Sequence, residues 1–152
     1  MDRILKMSNG MEEYICPEFI LNSNEYFRWL KRKASSHIAR DRKRYLPDKY
    51  TVCCYRRRIH DAVLRSNGKD EYTGIDLDWS LINQYNNASS SEKKATYRKK
   101  FYNLPTLDHT YNKNDPTDFR ICSWKVNDAK NDLTLDEFIK LCETILKFNS
   151  KK

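Results

Sequence analysis

Asp108 and His109 are adjacent in the segment LPTLDHT, and Asn127 and Lys130 follow downstream in N-x-x-K spacing. A hard divalent cation prefers oxygen ligands, whereas a neutral imidazole can take a proton from water near pH 7. An adjacent carboxylate and imidazole can therefore divide the work of a hydrolysis. If the pair ends a strand, alternation sends the two side chains to opposite sides, so they need not compete for one role. Asn127 and Lys130 lie three residues apart and share a face if their segment is helical. A lone Asp-His dipeptide is commonplace, so its meaning depends on the elements that hold it.

Those elements are legible around it. Thr106 to Thr110 and Phe119 to Cys122 have strand composition and are joined by a polar loop containing Asn112, Asn114, Asp115 and Pro116. A short helix is predicted from Trp124 to Lys130. This strand-loop-strand-helix unit, with LDH closing the first strand, an acidic residue opening the second and N-x-x-K in the helix, resembles the HNH nucleases, also called ββα-metal nucleases. The likeness covers about residues 104 to 132. It implies that Asp108 is a metal ligand, His109 the general base, Asn127 the second protein ligand and Lys130 a phosphate or structural contact. Asp118 occupies the family's middle position, usually Asn, and is expected to brace the loop and orient His109. The family chemistry uses one divalent ion, Mg²⁺ with Mn²⁺ or Ni²⁺ as substitutes, and leaves a 5′-phosphate and a 3′-hydroxyl. No structural zinc is expected, because the paired C-x-x-C motifs of zinc-stabilised members are absent. The YTG turn followed by LDW is similar to the lead-in of restriction-type HNH proteins.

The charge distribution supplies a second requirement. The net charge is +8, yet residues 22 to 58 alone contain 12 Lys or Arg against 3 Asp or Glu. Cations in such excess suit a polyanion, since neutralising phosphates releases counterions and gives sequence-independent affinity. DNA is the expected partner, contacted through Arg28, Arg32, Arg40, Arg44, Arg56, Arg57 and Arg58. Tyr26, Trp29, Tyr45, Tyr50 and Tyr55 are interleaved with these cations, and their helical spacing assigns them to core packing before base stacking.

The frame around both features is a mixed α+β fold, mostly helical, surrounding a small β-hairpin core that carries the HNH unit. With 152 residues and 39% hydrophobic content, one compact body is expected. Within it, residues 1–68 form an N-terminal arm and basic helices, and 69–152 form the nuclease core with an insertion at 80–103. The arm should pack through Ile15, Phe19 and Leu21. Asn22 and Glu25 form a capping-box pattern ahead of Tyr26, Leu30, Ala34 and Ile38, predicting a helix over 23–44. Tyr55, Ile59, Ala62 and Val63 predict a second helix ending at Ser66-Asn67-Gly68, with the glycine as left-handed cap. A small hairpin is expected over 69–79. The last helix should start at Thr134, with Glu137 completing a capping box and Leu133 as a staple, and should bury Phe138, Leu141, Cys142 and Ile145. The five cysteines show no C-x-x-C spacing, and Cys122 and Cys142 fall on apolar stripes, so reduced thiols in the core are expected. No apolar run suits a secretory signal or a membrane span, so a cytoplasmic location without membrane contact is expected.

Two other functions compete with this reading. A PD-(D/E)xK nuclease would use Asp128-Ala129-Lys130, but that string needs a central strand and lies here in a predicted helix. A non-catalytic basic DNA- or RNA-binding module on an HNH-like scaffold would keep the fold and the charge without the chemistry. One HNH site cuts one strand at a time, so double-strand cleavage of a palindromic target would imply a homodimer.

Overall fold

A computed structural model describes residues 4–6, 13–43, 50–85, 96–110, 115 and 117–150. It is α+β: helices surround a two-stranded antiparallel hairpin near the C-terminal half. No described helix is long and apolar enough to cross a membrane. The insertion's loop at 86–95 and the polar loop residues Asn112, Asn114 and Pro116 lie outside the described residues.

The first segment is more regular than expected. Strands β1 (Ile4–Lys6) and β2 (Glu13–Ile15) pair antiparallel, with Ile4 opposite Ile15. The arm seats Tyr14, Cys16 and Ile20 in the core, while Ile15 and Leu21 are exposed and Phe19 is partly buried. Of the three expected anchors only Phe19 packs: alternation on β2 turns Tyr14 inward and Ile15 outward, and the turn closed by the Ile20 amide on Pro17 O resets the faces beyond it.

Helix α1 (Ser23–Arg42) begins as its sequence predicts, with the Asn22 side chain accepting from the Glu25 amide at 3.1 Å. Tyr26, Leu30, Ala34 and Ile38 are buried. Helix α2 (Val52–Ser66) packs along α1 and buries Tyr55, Ile59, Ala62 and Val63. Its C-cap is Asn67 in the left-handed region, φ 47°, rather than the glycine. Gly68 follows at φ 80°, and a Cβ there would come within 3.3 Å of the Phe19 ring, so glycine is required twice over. Beyond it, the predicted hairpin is reduced to one bridge, Lys69 to Asp76, around a polar turn.

Strands β3 (Pro105–His109) and β4 (Phe119–Ser123) pair in the register that sets Asp108 opposite Arg120 and His109 opposite Phe119. Leu107, Phe119 and Ile121 join the side chains of α1 and α2 in one core. Ser123 ends β4 and caps helix α3 (Trp124–Lys130) by accepting from the Val126 amide, so α3 folds back on both strands.

Helix α4 (Leu135–Asn149) has the expected capping box between Thr134 and Glu137, but its expected buried face is not buried. Leu141, Cys142 and Ile145 are exposed, and Phe138 is only half-buried. Leu135, Phe138, Ile139, Cys142 and Leu146 line an open groove of about 560 Å³ against the loop carrying Tyr72 and against α3. Amphipathic spacing shows that a helix has an apolar face but does not show how closely a neighbour covers it. Cys122, by contrast, is fully buried on β4.

Candidate functional site

The two neighbouring side chains at the end of β3 point to different environments, as strand alternation requires. Asp108 is buried; its Oδ2 lies 3.0 Å from Lys130 Nζ and accepts the Tyr72 hydroxyl. Burial, and then the bond to the Asp108 carboxylate, push the Tyr72 phenol well above its usual range, so it remains a donor. Tyr72 is delivered by the turn after α2, which is fastened to the outer edge of β4. The Glu71 amide donates to Ile121 O at 2.9 Å, the Ile121 amide to Glu71 Oε2 at 2.6 Å, and the Ser123 amide to Asp70 Oδ2 at 2.8 Å. Two carboxylates thus satisfy an edge that a third strand would otherwise occupy.

His109 faces α1. Its Nε2 is 2.9 Å from Asp41 Oδ2, and its Nδ1 is 3.4 Å from Arg40 Nη2. A guanidinium can only donate, so Nδ1 carries the lone pair and Nε2 carries the proton that is given to Asp41. Tyr55 donates to the same Asp41 oxygen at 2.9 Å, and burial together with that bond pushes its phenol well above the usual range. The His109 ring is held between Phe119 and His37, at centroid distances of 4.9 and 5.1 Å. Arg40 also donates to His37 Nδ1 at 2.8 Å, and burial followed by the charge of Arg40 lowers the His37 pKa to about 2.

A polar cavity of about 220 Å³ lies between β3, α1 and α3. Asp108, His109, Asn127 and Arg40 line it, with Asp128 and Asp132 from α3 and its C-terminal turn. The three residues singled out by the sequence therefore share one cleft. The donors that Asp108, Asn127, Asp128 and Asp132 offer are oxygens, which suits a hard divalent ion. No group of three His, Cys, Asp or Glu side chains that could hold a metal occurs among the described residues, so an ion bound by Asp108 and Asn127 would complete its shell with water and phosphate.

Other expected roles are revised. Asp118 braces the loop, since its Oδ2 accepts from Thr110 Oγ1 at 2.7 Å and its carbonyl from the Thr110 amide at 3.2 Å. The carboxylate that orients His109 is Asp41, not Asp118. Lys130 is buried on Asp108 and takes the structural of its two expected roles. The expected basic contacts differ in their surroundings. Arg56 is buried inside the fold, Arg58 pairs with Asp115 at 3.5 Å, and Arg28 pairs with Glu25 at 3.0 Å. Arg32, Arg40 and Arg57 are exposed, and Arg44 lies outside the described residues. The triplet splits because three consecutive helical positions span about 200° of the helix circumference, so they cannot share one face, and Arg56 is the one turned into the fold.

His37 and Asp41 were missed, although a signal for them existed. The stripe Tyr26, Leu30, Ala34, Ile38 continues at 37 and 41, and both side chains are buried there. Polar residues on the core side of an amphipathic helix are a departure that points to a site.

The buried histidines predict how the fold responds to acid. His37 and His60 both have lowered pKa values, chiefly from burial, and His60 Nδ1 is 2.6 Å from the Tyr26 hydroxyl. The unfolded chain takes up these protons near pH 6.5 while the folded chain refuses them. Their contribution is therefore fully present above pH 6.5 and is lost as the pH falls below it, by up to about 1.4 kcal/mol per pH unit for each histidine. Urea unfolding should show a lower midpoint at pH 5 than at pH 7, and His37→Gln should remove part of the difference. A midpoint unchanged between those pH values would contradict neutral burial of both rings.

No family model, no curated protein and no solved structure matches this chain.

Proposed function

We propose that this protein is a metal-dependent endonuclease of the HNH type that hydrolyses DNA phosphodiester bonds in the cleft of Asp108, His109 and Asn127. The observation that supports this reading is the state of His109: its Nε2 proton is held by a buried carboxylate, which leaves the Nδ1 lone pair beside a cavity lined with oxygen donors. Asp108 and Asn127 would hold one divalent ion, Mg²⁺ or a substitute, whose charge neutralises the scissile phosphate and stabilises the leaving oxygen.

His109 Nδ1 takes a proton from the attacking water as the new O–P bond forms. The P–O3′ bond breaks, and the released 3′-oxygen takes up a proton to become a hydroxyl. Asp41 stabilises the imidazolium that results, and the Tyr55 hydroxyl keeps Asp41 in place. Arg40, which touches Nδ1 in the free protein, is freed for the substrate phosphate when DNA arrives, because a charge-assisted bond to phosphate is the stronger contact.

End-group analysis of a cut duplex tests the chemistry. With Mg²⁺, products should carry a 5′-phosphate and a 3′-hydroxyl, and a 3′-phosphate would contradict the scheme. A second reading, a binding module without catalysis, is favoured by one observation: Lys130 already compensates Asp108 without an ion. DNA that is bound but left uncut with Mg²⁺, Mn²⁺ and Ni²⁺ in turn would establish that reading.

A further inference from the structure

A second cavity, of about 420 Å³, opens on the other side of Arg40. It is lined by Arg32, Lys33, Ser36 and Arg40 from α1, with Asn83 and Tyr85 from the segment after the 3₁₀ turn Trp79–Leu81. No carboxylate among the described residues lines it. Arg32 and Lys33 have no carboxylate partner among those residues either; Lys33 Nζ lies 3.5 Å from Thr106 Oγ1 and 5.9 Å from the Trp29 ring centre. Arg40 has Asp41 within 3.8 Å on its other side, so Arg32 and Lys33 are the cations of this concave space that no carboxylate among the described residues balances. Burial, and then the neighbouring charges of Arg32 and Arg40, lower the Lys33 pKa to about 8. An anion in the cavity would relieve that crowding, and the Ser36 hydroxyl and Asn83 amide could add neutral hydrogen bonds.

We propose that this cavity binds a backbone phosphate of the same nucleic-acid strand whose scissile phosphate enters the cleft at His109, with Arg32 and Lys33 as its cationic contacts and Arg40 between the two phosphates. The inference rests on the nuclease reading for the second half of that statement only. Continuity favours a strand over a small phosphate compound. Arg40 lines both cavities, and Tyr85 of the basic cavity meets Trp124 of the catalytic cleft edge-to-face, ring centroids 5.1 Å apart, so one wall joins them. Along α1, Lys33 and Arg40 are seven residues or about 10 Å apart, a reach that a chain of phosphates spans and a single phosphate does not.

The test compares wild type with the double variant Arg32→Gln, Lys33→Gln, using a fluorescein-labelled DNA duplex in EDTA over a range of salt. Affinity should fall about tenfold near physiological salt, and the slope of log affinity against log salt should become shallower by about two charges. Arg32→Lys, Lys33→Arg should restore both, and circular dichroism melts of all three proteins check that the fold is kept. Inorganic phosphate, titrated by NMR, should shift the amides of Ser36 and Asn83 and compete with the duplex. If phosphate binds there while the double variant keeps full DNA affinity and slope, the site serves a small phosphate compound and the proposal is overturned. It is equally overturned if neither ligand responds to the substitutions. His109→Ala should leave the slope unchanged; DNA that is bound through this cavity yet never cut would end the nuclease reading and leave the phosphate site standing.

Discussion

Lys130→Ala should cost the domain about 3–5 kcal/mol, the usual loss when one partner of a buried ion pair is removed. Lys130 is 2% exposed and Asp108 is 5% exposed, with Nζ and Oδ2 3.0 Å apart. Truncation leaves a carboxylate in the interior with the Tyr72 hydroxyl as its remaining side-chain donor among the described residues. Domains of this size are stable by about 5–15 kcal/mol, so a large part of the total is at stake. The control is the pair Asp108→Asn, Lys130→Met, which removes both charges, keeps an acceptor for Tyr72 and should recover most of the loss. Urea unfolding decides: a loss under about 1 kcal/mol for Lys130→Ala would mean that the ion pair does not hold the hairpin to α3. The same geometry dictates how Asp108 is probed. Asp108→Ala would leave the Lys130 ammonium with no oxygen in place of the carboxylate, so Asp108→Asn, which keeps one, is the milder probe of metal binding and is read beside a urea melt of the same variant. Its cleavage defect should shrink as Mg²⁺ or Mn²⁺ is raised.

His109→Ala should lower the cleavage rate by about 10²- to 10⁴-fold, the usual contribution of a positioned general base. DNA affinity should stay close to wild type, because the imidazole makes its contacts inside the protein, with Asp41, Arg40, His37 and Phe119. Raising the metal concentration should not restore the rate, since a missing base is not a missing ligand. That contrast with Asp108→Asn assigns the two neighbours of one strand to two roles. Anisotropy with a labelled duplex and single-turnover cleavage on the same samples separate binding from chemistry.

The hairpin, α3 and the sharing of one cleft by Asp108, His109 and Asn127 were legible because strand alternation and helix spacing are local rules. The Thr134 capping box was legible for the same reason. What encloses the site was not. Asp41, His37 and Arg40 reach His109 across about 70 residues of sequence, and single-chain periodicity ranks α1 by its apolar stripe, which hides polar members at 37 and 41. Tyr72 was hidden because the expected hairpin at 69–79 is instead a turn docked on β4 through Asp70 and Glu71. Arg56 was read as surface because its neighbours are cations, although its helical position sets it toward α1. The exposed apolar residues of α4 show the complementary error, in which an apolar face was taken as proof of a partner within the chain.

The most direct measurement is the nicking of a supercoiled plasmid by purified wild type and His109→Ala side by side, with Mg²⁺, Mn²⁺ or Ni²⁺ and with EDTA. The account predicts nicked circles from wild type with metal, none with EDTA, and nicking by His109→Ala slower by at least about 10²-fold. Equal rates from the two proteins, or cutting by wild type that persists in EDTA, would contradict it.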